Sequence, residues 1–217
     1  MNIKIDDKIL KLTPNFRVGV VTFDVEVFDN IEIDKLVSDS EDYINQTIDI
    51  KAVVNLAIIK DGRDAYKKYG KDPSRYRLAV ESLYRRLSKG NKLYRINNVV
   101  DIGNILSLKT RKSIAVLDKE QIQGDILIRL GLKEDVYEGL CRGLLNIENI
   151  PLYEDNISPF GSVTSDTLRT SITKDTTKVL LFIISFSETV NLKMDIEQTI
   201  EIYKTYCKGS NFESFIL

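Results

Sequence analysis

A chain of 217 residues is long enough for one large domain or two small ones, and either would bury a sizeable core. The balance of 31 basic against 32 acidic residues argues against a strongly basic nucleic-acid binder, though it leaves room for a local basic patch. The count of 0 histidines excludes Ser-His and Cys-His nucleophile pairs, an imidazole general base and every His-containing zinc site.

In chain order, Val21, Phe23, Val25 and Val27 alternate with Thr22, Asp24 and Glu26, which predicts a half-buried strand with one wet face. Apolar positions at helical spacing then run from about Ile33 to Ile59 and predict two helices broken near Asp49. Gly70 ends a helix and Pro73 is expected to begin the next, with Asp72 as its cap. In that next helix Val80, Leu83, Tyr84 and Leu87 share a face, and Glu81 and Arg85 stand at the i, i+4 spacing on another. Arg75, Arg77, Arg85 and Arg86, with Lys89 and Lys92, make this the most basic stretch. It reads either as a solvated face with ion pairs or as a surface that tracks RNA phosphates.

The stretch from Arg95 to Asp118 looks central. Val99, Ile102 and Leu106 lie on one helical face, and Asn97 or Asn98 can cap the helix start. Asp101 and Asn104, three apart, share a different face. A basic turn from Lys109 to Lys112 and a buried strand, Ile114–Leu117, follow. A polar helical stripe facing a strand end is a pocket wall or simply a solvated edge, and composition does not choose between them.

Gln123 to Gly131 reads as a turn and a strand in which Arg129 needs an acidic partner, a phosphate or an exposed edge. Ile147 to Asp155 reads as a further strand. Ser158 to Thr170 carries too many Gly, Ser and Thr residues to be regular. It is a plain surface turn or a binding loop whose charged members are Asp166 and Arg169. Thr176 to Phe186 is a strand buried on both sides, and a final helix lines Leu192, Ile196, Ile200, Tyr203 and Cys207 along one face to pack on the sheet and cover an edge. Cys141 and Cys207, far apart and in no metal-ligand spacing, read as reduced, half-buried core residues. With no long apolar run and no signal-peptide pattern, a cytoplasmic protein without membrane contact is expected.

The run Arg95, Ile96, Asn97, Asn98, Val99, Val100, Asp101, Ile102 and Asn104 resembles the signature of the tRNA-editing (B3/B4) domain of the phenylalanyl-tRNA synthetase beta subunit. The resemblance covers roughly residues 61–186. It departs at Gly103, where that family has Thr, at Ala115, where it has His, and at Phe182, which aligns with a Glu. The segments around Pro73 to Arg86 and Gly161 to Thr170 are similar to motifs of free-standing relatives.

The expected fold is therefore α+β, one domain over residues 1–217 with layered mixed β-sheets flanked by helices. The resemblance implies a partner that is tRNA or aminoacyl-tRNA, with no cofactor and no metal. On it, Asn104 and Asp166 are the candidate catalytic groups of a deacylase, and Asn98, Asp101, Gly103, Ser162, Thr164, Ser165 and Arg169 the candidate substrate-binding groups. Arg75, Arg77, Arg85 and Arg86 are the candidate RNA contacts. The alternative is a module that kept the fold, lost the editing chemistry and binds RNA or a small amino-acid-like ligand. Either way, the expected pocket lies where Asp101 and Asn104 meet the loop from Gly161 to Thr170.

Overall fold

The computed structural model describes residues 1–188 and 191–217. In chain order the elements are β1 (Ile3–Ile5), α1 (Asp7–Leu12), β2 (Arg17–Asp24), α2 (Glu32–Thr47), α3 (Ala57–Lys68), α4 (Ala79–Leu87), α5 (Asn98–Thr110) and β3 (Ser113–Asp118). They continue as β4 (Ile126–Leu130), β5 (Glu138–Gly139), β6 (Gly143–Leu144), β7 (Pro151–Glu154), β8 (Pro159–Ser162), β9 (Lys178–Ser185), α6 (Leu192–Cys207) and β10 (Ser210–Ile216). Among the described residues, no helix is long and apolar enough to cross a membrane.

The strands form two four-stranded sheets, ordered β1-β4-β7-β8 and β10-β2-β9-β3, with β5 and β6 as a separate hairpin. The first sheet is mixed, because β1 runs parallel to β4 while the other pairs are antiparallel. The fold is α+β, as its sequence suggests.

Side-chain alternation along the second sheet fixes the layers. Ala115 of β3 stands opposite Phe182 of β9, and the Phe182 ring meets Tyr153 of the first sheet with centroids 4.8 Å apart. The next register pair, Val116 and Leu181, points the other way, and Val116 lies against Gly103 of α5. A Cβ on Gly103 would sit 2.5 Å from Val116 Cγ2, so the missing side chain is what lets α5 lie flat on the sheet. On the same face Gly19 of β2 meets Ile196 of α6. The order is first sheet, second sheet, then α5 and α6.

Two expectations change for this reason. β2 starts at Arg17 rather than Val21, and its stretch from Val18 to Phe23 is buried on both faces, Thr22 included. The wet face implied by alternation is covered, because β2 is an inner strand between β10 and β9 with a layer on each side. The edge expected to be covered by α6 is instead closed by β10, which pairs antiparallel with β2. Pro73 does not open a helix either. Asp72 Oδ1 takes the Ser74 N–H at 2.8 Å to form a turn, and α4 starts only at Ala79. Other expectations hold: Asn97 Oδ1 caps α5 through the Val100 N–H at 2.9 Å, and β9 is buried between β2 and β3. Cys207 is buried, whereas Cys141 is exposed at the tip of the hairpin.

Candidate anion-binding site

The polar stripe of α5 is engaged in holding the helix start. Asp101, almost completely buried, accepts from Arg95 Nε at 2.7 Å and from the Ile96 N–H at 3.1 Å, while Arg95 also reaches Asp34 of α2. Asn98 accepts the Phe28 N–H and donates to the Glu26 carbonyl. A cavity of about 370 Å³ opens beside these groups, lined by Asp29, Asp34, Arg95 and Asp101 among others. None of the loop from Gly161 to Thr170 reaches it. Asn104 is half-buried on α5 and makes no side-chain hydrogen bond among the described residues.

That loop belongs to the layer of the first sheet. β8 opens it, so its first residues are regular where an irregular segment was expected. Ser162 Oγ donates to the Ser165 carbonyl at 2.8 Å and accepts the Thr164 and Ser165 N–H groups, which winds the chain into a tight turn. Arg169 makes a two-point contact with Asp155 at 2.9 and 3.0 Å and donates to the Gln121 and Ser158 carbonyls. Those bonds make it a fastener for the loop. Asp118 N–H donates to the Thr170 carbonyl, tying the loop to β3.

Asp166 is the unusual member of the loop. Its Oδ1 is enclosed and has no hydrogen-bond partner, although the residue as a whole is half-buried. A Cβ on Gly161 would lie 3.0 Å from this oxygen and 2.8 Å from the Tyr153 ring, so only glycine leaves room for both. Burial raises the Asp166 carboxyl to about 7, opposed by a backbone hydrogen bond at Ser162. Tyr153 Oη, also buried, is unpartnered too, and burial pushes its phenol well above the usual range. Tyr137 donates to the Ser165 carbonyl, and Tyr66 Oη is 2.8 Å from Thr164 Oγ1. In a chain without histidine, burial thus moves the Asp166 carboxyl towards neutrality. Asp166 follows β8 of the first sheet, whereas Asn104 belongs to α5, which packs on the far face of the second sheet.

What does converge on this loop is the basic segment before α4. Arg75, Tyr76 and Arg77 line a cavity of about 360 Å³ together with Ser82, Arg142, Leu145, Asn146, Ile147, Ile150 and Thr164. Lys71 holds two of its walls together: its Nζ donates to Asn146 Oδ1 at 2.9 Å and lies 4.2 Å from the Tyr76 ring centroid. Burial lowers the pKa of this lysine, and Glu148 counteracts that. Among the described residues, no carboxylate lies within ion-pair distance of Arg75, Arg77 or Arg142. Nearby Asp72 spends its carboxylate on Ser74. The other two basic candidates have internal partners. Arg85 lies 3.9 Å from Glu81, and Arg86 stacks on Tyr94 at 3.8 Å while donating to the Lys92 carbonyl.

The B3/4 domain family model matches residues 61–211, from α3 to the start of β10. The chain belongs to the B3/4 domain family. No curated protein matches it. Among solved structures, it is similar to an N-terminal fragment of the phenylalanyl-tRNA synthetase beta-subunit from Pyrococcus horikoshii, at 10% identity and a TM-score of 0.49. That alignment covers 99% of this chain and 53% of the fragment, so the chain spans about half its length.

Within this B3/4 domain, the three departures from the synthetase pattern fall on both faces of the second sheet. Ala115 and Phe182 are register partners, with Phe182 against Tyr153, and Gly103 lies under the neighbouring Val116. Where the resemblance would put a His and a Glu, the sheets here are filled with apolar atoms. Arg142, Asn146 and the apolar wall of the cavity escaped the sequence reading. The available signal was a cation at the tip of a glycine-flanked segment, Gly139-Leu-Cys-Arg-Gly143.

Proposed function

We propose that this B3/4 domain binds RNA of the tRNA class through backbone phosphates held by Arg75, Arg77 and Arg142. One observation carries the reading: these guanidinium groups rim a cavity whose lining holds no carboxylate, and the nearby Asp72, which feels the Arg75 charge, is hydrogen-bonded to Ser74 instead of ion-paired. A planar, permanently charged fork with free N–H groups suits a phosphate oxygen pair. The chain as a whole is at −1, so attraction to RNA would be local and strongly salt-dependent. The test is anisotropy of labelled tRNA over a salt series. Replacing all three arginines by alanine should flatten the slope of log affinity against log salt by roughly 2 to 3. An unchanged slope would remove RNA from this cavity.

A second reading, ester hydrolysis on aminoacyl-tRNA, rests on Asp166. A carboxyl near 7 can accept a proton from water at neutral pH, where an ordinary aspartate is a poor base. The packed Ala115–Phe182 pair speaks against chemistry inherited from the synthetase pattern, so Asp166 would have to act without those partners. Deacylation of a panel of charged tRNAs would show an inflection near pH 7 that Asp166→Asn abolishes. If no charged tRNA is cleared, the protein is a binding module.

A further inference from the structure

The lining of the cavity points to the kind of ligand it takes. It includes the aliphatic Leu145, the nearly fully buried Ile147 and Ile150, and the aromatic Tyr76. It also includes hydrogen-bond donors. The guanidinium groups are unpaired, and Asn146 Oδ1 is already committed to Lys71 Nζ and the Glu148 N–H, which leaves its amide N–H groups free. The lining contains no aspartate or glutamate. A ligand there must bring acceptors and a negative charge, together with a flat or apolar part. The volume of about 360 Å³ falls within the range of roughly 300–1,000 Å³ that holds one drug-sized molecule, not a strand.

Resting on the RNA reading above, we propose that this cavity is a pocket for one nucleoside phosphate unit that rejects a free α-ammonium group. The phosphate meets the arginines and the base lies along Tyr76 and the aliphatic wall. Ser82 and Thr164 hydroxyls belong to the same lining; with Ser82 Oγ donating to the Leu78 carbonyl and Thr164 Oγ1 paired with Tyr66 Oη, what they offer ribose or base donors is their remaining acceptor capacity. The ammonium of an aminoacyl ester carries three donors and a positive charge, and it would face arginines with no carboxylate in the lining to pair with. The pocket therefore distinguishes RNA by its phosphate, not by an attached amino acid.

Calorimetry on the full chain tests this with AMP, CMP, GMP and UMP, adenosine, and a 3′-amide-linked aminoacyl adenosine in free-amine and N-acetyl forms. AMP should bind at least about tenfold tighter than adenosine, as a charge-assisted contact predicts. The variant Arg75→Ala/Arg77→Ala/Arg142→Ala should lose that difference while retaining its circular dichroism and unfolding midpoint. The free-amine compound should bind no tighter than its N-acetyl form. Equal affinity for AMP and adenosine, or tighter binding by virtue of the free amine, overturns the proposal.

A parallel titration with labelled tRNA separates this proposal from the RNA reading. If the triple variant loses tRNA while no mononucleotide binds, the cavity contacts RNA but the single-nucleotide pocket is wrong. If mononucleotides bind as described and tRNA does not, the pocket stands with a free nucleotide as its ligand and the RNA reading falls.

Discussion

Two sets of arginines on this molecule carry the same charge and differ in everything else. Arg63 clasps Glu81 at 2.8 Å, Arg95 bridges Asp34 and Asp101, Arg129 bridges Asp135 and Glu154, and Arg169 holds Asp155. Each fastens one element or loop to another: Arg63 joins α3 to α4, and Arg129 joins β4 to β7. Arg75, Arg77 and Arg142 fasten nothing by ion pairing and gather at one cavity. On the function proposed above, a chain with near-balanced charge still offers a local cationic site, because these three arginines are held by no ion pair among the described residues.

The largest effect expected from this division is at Arg129, whose side chain is only 12% exposed. Arg129→Ala strands Asp135, 10% exposed, and Glu154, 29% exposed, without their cation. Losing one partner of such a buried pair costs about 3–5 kcal/mol. Arg142→Ala, on an exposed residue, should change stability by no more than about 0.5 kcal/mol. Urea midpoints of the two variants check this directly. Comparable losses from both would erase the distinction between fastening and available arginines.

The sequence announced the first set better than the second. Arg129 in an otherwise apolar strand implied a partner, and it has two acidic ones, because a guanidinium among Ile126, Ile128 and Leu130 has no other way to be neutralised. The cap at Asn97 and the doubly buried β9 were readable for the same local reason. Thr22 and Asp24 gave β2 a wet-looking face, since alternation says nothing about a second sheet stacked on top. The cavity beside Asp101 has no lining residue from the Gly161–Thr170 loop, a separation hidden in the sequence because side-chain spacing on α5 cannot reveal which face of a sheet the helix covers. Arg142 and Thr164, 22 residues apart, meet only through the hairpin and the β8 turn, a long-range relation that no single stretch displays.

The same comparison applies to acids and yields the next largest effect. Asp155 has Arg169 and several N–H donors, which outweigh burial and hold its carboxyl below the usual range. Asp166 has no cation, and its carboxyl rises from 3.8 to about 7. An acid with a raised folded pKa keeps its proton in the native state while the unfolded chain has lost it, so stability falls as pH increases between the two values and is flat above the upper one. At about 1.36 kcal/mol per unit, the decline across that window amounts to a few kcal/mol. Asp155 acts in the opposite sense, but only below pH 4 or thereabouts. Asp166→Asn should therefore remove the decline between pH 4 and 7 and leave the variant more stable than the parent at pH 8. Parallel declines in parent and variant would mean that Asp166 is ionised throughout.

The smallest effect is expected where an arginine is only half committed. Arg85 sits 3.9 Å from a Glu81 already held by Arg63, and Arg86 is occupied by the Tyr94 ring and the Lys92 carbonyl. Neither lines the cavity. Reversing both, Arg85→Glu and Arg86→Glu, changes the field near α4 without touching the phosphate contacts proposed above. At physiological salt the Debye length is about 8 Å, so distant charges are largely screened. The expected result is a loss of tRNA affinity below about threefold, with the salt slope changed by less than about 0.5, well short of the cavity triple variant. Loss of Arg86 stacking should cost roughly 0.5–1 kcal/mol of stability, visible as a small shift in the urea midpoint. A slope change as large as the triple variant's would instead move the RNA track onto α4, and with it the division drawn between the two sets of arginines.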